Sequence, residues 1–154
     1  MESIPKVLFL SKGSASRSDM AEGFLRTFAG DRVIAVGAGT EPGPMSPILI
    51  EVMREVGIDT TQQQPRELAS LFHETFRYVV AMCDGSKERF PVFPFTPNLL
   101  RWSVPEPIAA SGGTEIEKQA YRRIRDQIRE RVEEFVASIG QPEAASAKAL
   151  VVGA

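Results

Sequence analysis

Short, unbroken apolar runs constrain the fold of this chain more than any other feature. Val7-Leu8-Phe9-Leu10, Val33-Ile34-Ala35-Val36 and Tyr78 to Cys83 are continuous stretches rich in strand-forming residues. A strand wetted on one face alternates apolar and polar side chains, so an unbroken run reports burial on both faces. Helical spacing fills the intervals. Ser18 to Ala29 sets Met20, Ala21, Phe24, Leu25 and Phe28 on one face and stops at Gly30. Ser46 and Pro47 are a favourable N-cap and first helical residue for a helix carrying Ile48, Leu49, Val52, Met53 and Val56, closed by Gly57. Pro65 to Phe72 reads as a short helix and Leu99 to Trp102 as a fourth strand. Thr114 caps a last helix whose apolar positions Ile116, Ala120, Ile124, Ile128, Val132, Phe135, Val136 and Ile139 keep 3–4 spacing over about seven turns. Gly37, Gly39, Pro42, Gly43 and Pro44 are expected to break the second strand into a loop. Strands alternating with helices predict an α/β fold: a three-layer, open, mainly parallel four-stranded sheet flanked by helices.

The 154 residues suit one domain, which we place at 1–139, followed by an alanine-rich tail at 140–154. A net charge of −2 argues against general nucleic-acid binding. Arg122, Arg123, Arg125, Arg129 and Arg131 are interleaved with Asp126, Glu130, Glu133 and Glu134, which reads as a solvated helix face. Cys83 is the only cysteine, so an intrachain disulfide and a multi-cysteine zinc site are excluded. His73 is the only histidine, so any Ser–His–Asp triad depends on it. The longest apolar stretch, Val79 to Cys83, falls far short of the roughly 18 residues a membrane span needs, and Glu2 with so short an apolar run argues against a signal peptide. The expectation is a cytoplasmic protein without membrane or nucleic-acid partners. The tail's Leu150-Val151-Val152 leaves room for a homodimer.

The chemistry is concentrated in the segment that follows the first run. Ser11-Lys12-Gly13-Ser14-Ala15-Ser16 is a loop of mostly small side chains between a buried strand and a helix start, and Arg17-Ser18 closes it. In open α/β sheets, ligands sit at the carboxyl ends of strands. Successive loop amides and a helix N-terminus create positive potential, small residues let backbone approach a ligand, and arginine offers a planar fork to two oxygens of a tetrahedral anion. The spacing is not that of a P-loop nucleotide site, and no G-x-S-x-G nucleophile elbow occurs. An oxyanion cradle formed by Lys12, Gly13, Ser14, Ala15, Ser16, Arg17 and Ser18 stands against the alternative of a plain turn.

The segment from Ser11 to Glu22 reads S-K-G-S-A-S-R-S-D-M-A-E. It resembles the C-x-G-N-x-C-R-S-x-M-A-E signature of the low-molecular-weight protein tyrosine phosphatase superfamily, which includes the thioredoxin-coupled arsenate reductases. Gly37-Ala38-Gly39-Thr40, the Pro47 to Asp59 helix and its exit, Met82-Cys83-Asp84, Pro91-Val92-Phe93-Pro94 and Arg101 to Pro107 extend the likeness over about residues 6 to 139, leaning towards the arsenate-reductase branch. The resemblance implies the fold of these phosphatases, no cofactor, no metal, and phosphate, arsenate or a phosphorylated group as ligand.

The departures fall on the catalytic positions. The family's nucleophilic cysteine matches Ser11, its loop asparagine Ser14 and its second loop cysteine Ser16. Cys83 matches the first relay cysteine of the reductases, but the second position is Phe90, so no thiol relay is expected. The general-acid aspartate matches Glu106, whose longer arm alters the reach a proton transfer depends on. Serine gains little from a field that would ionise a thiol, and needs a neighbouring base. His73 reads as a surface or structural residue and Cys83 as a small core residue. Three functions follow: a catalytically silent member that binds oxyanions; a weak phosphatase or hydrolase using Ser11 or water with Glu106 as acid; or an interaction scaffold using the tail and the Phe93, Phe95 and Trp102 segment.

Overall fold

A computed structural model describes residues 4–12, 15–41, 43–64, 66, 68–83, 98–105, 107 and 114–139. Within them the apolar runs become strands β1 (Lys6–Ser11), β2 (Ile34–Gly39) and β3 (Tyr78–Cys83), with β4 at Asn98–Ser103. The strands lie in the order β2-β1-β3-β4, and every pair is parallel. Helices α1 (Ser16–Ala29), α2 (Pro47–Glu55), α3 (Leu68–Leu71) and α4 (Thr114–Ile139) connect and cover them.

The unbroken run in β1 has the predicted cause. Val7 and Phe9 point into a core shared with Met20 and Phe24 of α1, Met53 of α2 and Ile128 and Phe135 of α4. Leu8 and Leu10 point the other way, against Leu71 and Phe76. Each face therefore excludes water, and neither can accept polar residues.

Several expectations need correction. Helix α1 begins two residues earlier than its apolar spacing indicated, because Ala15 is the N-cap and the Asp19 amide already closes a helical bond on the Ala15 carbonyl at 2.7 Å. Ser18 thus lies inside the helix and is not its cap. Strand β2 runs through Gly37 to Gly39 instead of breaking there. The glycines admit close packing, since a Cβ on Gly37 would lie 2.8 Å from the Ser18 carbonyl oxygen of α1. Trp102 is core and not a contact surface: it is 1% exposed and packs beside Phe9 and Phe135. Ile116 stands outside the buried stripe of α4, at 49% exposure. The basic face of α4 is only partly solvated, because Arg125 is buried, donating to the Val52 carbonyl and Glu55 of α2, while Arg122 also pairs with Glu55. Phe90, Phe93, Phe95 and the tail at 140–154 lie outside the described residues.

Candidate active site

The chain leaves β1 where the strand order reverses, with β2 on one side and β3 on the other, which is where open α/β sheets leave a crevice. Ser11 ends β1 there, aligned with Gly39 of β2 and Met82 of β3. It is fully buried, and its Oγ lies 3.0 Å from the Ser18 Oγ. Ser18 Oγ also lies within donating distance of the Ala15 carbonyl, at 3.0 Å. Either hydroxyl can donate within the serine pair, and a serine hydroxyl has no basic lone pair suited to removing a proton.

His73 offers no base either. It is exposed and lies next to Glu74, whose carboxylate pairs with Lys6 at the opposite end of β1. A six-residue strand puts about 16 Å between those ends. Cys83, at the end of β3, is a buried core thiol, 3.7 Å from the Trp102 carbonyl oxygen and 3.9 Å from an Arg101 nitrogen.

Arg17 is turned inward and is only 2% exposed. Its Nη2 donates to the Lys12 carbonyl at 2.6 Å and its Nη1 to the Val104 carbonyl at 2.9 Å. Its Nε is a buried donor without a hydrogen-bond partner among the described residues. A cationic side chain this deep is costly unless its donors are satisfied and its charge is met. Arg17 also ties the loop to the segment beyond β4. Val104 is held from both sides, its N–H donating to the Cys83 carbonyl at 2.8 Å while its own carbonyl accepts from Arg17.

Ala15 and Ser16 are half-buried at the start of α1, and Lys12 is exposed. Gly13, Ser14 and Glu106 lie outside the described residues. The structure thus brings together Ser11, Lys12, Ala15, Ser16, Arg17 and Ser18 at the carboxyl end of the inner strand β1.

Two acidic residues of α1 had been given no role from the sequence. Glu22 is 4% exposed and braces the close contact of α1 with β2: its Oε1 accepts the Gly37 N–H at 2.7 Å, and its Oε2 pairs with Arg26 at 2.6 Å. Burial raises its pKa, while the Arg26 charge and the Gly37 amide work against the rise. Asp19, one turn earlier, is pushed up to about 7, first by burial and then by the Glu22 charge. Gln63 supports the same turn, its Nε2 donating to the Asp19 carbonyl at 3.0 Å. A sequence signal existed for Glu22, since Ser18, Glu22 and Leu25 share the 3–4 spacing of a buried face that rarely accepts a carboxylate.

Comparison with known proteins agrees with this geometry. An arsenate reductase of Bacillus subtilis is 34% identical over 130 residues, covering 84% of this chain and 93% of its own. A glutaredoxin arsenate reductase of Synechocystis is 30% identical over 135 residues, covering 87% and 98%. A solved arsenate reductase in a phosphate-binding state superposes with a TM-score of 0.73 at 28% identity, over 88% of this chain and 98% of its own. The family model for low molecular weight phosphotyrosine protein phosphatase matches residues 6–145. A parallel sheet, a small-residue loop at its switch point and an inward arginine are thus accompanied by likeness along most of the chain, which belongs to the low molecular weight phosphotyrosine protein phosphatase family.

Proposed function

We propose that this chain is an oxyanion-binding member of its family that has given up cysteine-based turnover. Phosphate, arsenate or a phosphorylated group would occupy the loop at 11–18. The observation that carries this reading is Arg17. Its guanidinium is buried, held in place by two carbonyls, and keeps an Nε donor that has no partner among the described residues. A tetrahedral oxyanion would meet that charge and that donor together.

The silence of the site rests on Ser11. An attacking hydroxyl needs a base within hydrogen-bond reach. Ser11 instead pairs with the Ser18 hydroxyl, which is no base, and the single histidine lies next to Glu74, whose partner Lys6 starts β1 at its far end. The lone thiol belongs to Cys83, in the core at the end of β3.

Thermal unfolding with and without phosphate or arsenate tests the reading. A ligand at 100 times its Kd adds about 2.7 kcal/mol, or roughly 5–10 °C in Tm for a chain of this size. Arg17→Met should remove the rise. Aryl phosphate should not be turned over. A wild-type melt unmoved by tens of millimolar anion sinks the binding reading, and turnover that disappears in Ser11→Ala sinks the silent one.

A further inference from the structure

We propose that the Asp19 carboxyl governs anion binding in the loop through its own proton: neutral, it admits a tetrahedral oxyanion; ionised, it repels one. The inference rests on the oxyanion reading above and concerns the regulation of that same site.

Placement carries it. The Asp19 amide bonds to the Ala15 carbonyl at 2.7 Å, which sets its side chain one helical turn from the loop. That side chain lines two adjoining cavities of about 60 and 200 Å³, and Ala15 of the loop is a wall of both. An anion seated at the Ala15–Ser16 end of the loop and an ionised Asp19 would border the same cavities, close enough for like charges to repel.

The surroundings do not neutralise an Asp19 carboxylate. The cavities it lines bring Glu41 after β2, Arg66 before α3 and Tyr121 from α4 around it, and the Glu22 charge acts on it from the next turn of α1. Among the described residues none forms an ion pair with Asp19. Its first-turn position favours negative charge. Burial and the Glu22 charge outweigh that, and the acid stays protonated up to about pH 7. A bound anion raises this threshold further. By reciprocity, ionising Asp19 weakens the anion by the same factor. Each tenfold rise in proton affinity on loading is a tenfold loss of anion affinity on the alkaline side.

Sulfate is the probe, because its own charge is constant from pH 5.5 to 8.5. Titration calorimetry of the full chain is run across that range for wild type and Asp19→Asn, in buffers of different ionisation enthalpy. We expect wild-type affinity to fall roughly tenfold from pH 6 to 8.5, with proton uptake on binding near pH 7. Asp19→Asn should keep the acid-side affinity at every pH and take up no proton. A flat wild-type profile without proton uptake overturns the inference. So does an equal slope in the variant, which would assign the titration to a group other than Asp19. Proton uptake by wild type needs no variant, so the test survives a poorly folded Asp19→Asn. Sulfate binding to neither protein at any pH is a separate outcome: it removes the oxyanion reading itself, and the inference with it.

Discussion

Gly37→Ala puts a methyl group into the tightest contact of the site. The new Cβ would lie 2.8 Å from the Ser18 carbonyl oxygen and 3.1 Å from Glu22 Oε1. Ser18 contributes backbone there, so no rotamer change relieves the clash, and β2 and α1 must part by about 0.6 Å to restore van der Waals contact. Overpacking of this kind costs about 1–3 kcal/mol. The same movement stretches the 2.7 Å bond from the Gly37 N–H to the Glu22 carboxylate, adding about 1 kcal/mol. Stiffening of the unfolded chain returns about 0.4–1 kcal/mol, leaving a net loss of roughly 2–3 kcal/mol. Gly43→Ala is the control, because a Cβ there meets nothing within 4 Å. Urea unfolding followed by fluorescence of the single, buried Trp102 reads both variants. The Gly37 midpoint should drop by about 1 M, and the Gly43 midpoint should stay or rise. Because Ser18 carries the bond to Ser11, the Gly37 variant should also lose part of its phosphate-induced Tm rise. Midpoints for the two variants within about 0.3 M of each other would refute the claim that this contact is rigid.

Trp102→Ala removes a ring that packs on Phe9 and Phe135 and should cost about 3–5 kcal/mol, read by circular dichroism in urea because the variant has no tryptophan. Asp19 has a folded pKa of about 7 against an ordinary 3.8, so its contribution is fully favourable only below 3.8 and erodes as pH rises to 7. Asp19→Asn should therefore gain on wild type across that window, by an amount bounded at roughly 4 kcal/mol and reduced by the water that reaches its exposed side; a constant difference would contradict this. The Arg122 hydrogen bond, with help from Arg125, holds Glu55 down at about 2 instead of 4.5. Its stabilisation is present above pH 4.5 and lost as pH falls through 2, so Glu55→Gln should show a shallower acid transition by circular dichroism. Ser11→Cys places a thiol at the end of β1, within reach of the α1 serine Ser18, and its pKa should fall below an ordinary thiol's, as read by thiolate absorbance against pH; an ordinary or raised value would show that the loop carries no positive field.

The apolar runs, the Ser46-Pro47 helix start and the glycine exit at Gly57 were legible because each is a local pattern with a local cause. The Ser11–Ser18 loop was legible because its small residues, arginine and position after a buried strand lie within eight consecutive residues. The roles of Trp102, Arg125, Glu22 and Asp19 were not. An aromatic, an arginine or a carboxylate reads alike in sequence whether it ends in water or in the core. Its neighbours come from tens of residues away: Val52 and Glu55 for Arg125, Gly37 for Glu22, Gln63 for Asp19.

Sequence alone determined the layer order, the small-residue loop after β1 and the serine at its start, since these depend on residue type and spacing along a few turns. Tertiary structure decided how the loop's parts are placed: which way Arg17 points, what Ser11 pairs with, and which acid burial pushes up. Those properties arise from desolvation and hydrogen bonding, which are set by how closely β2, α1 and the Val104 segment approach one another, and proximity across the fold leaves no mark on any single stretch of chain.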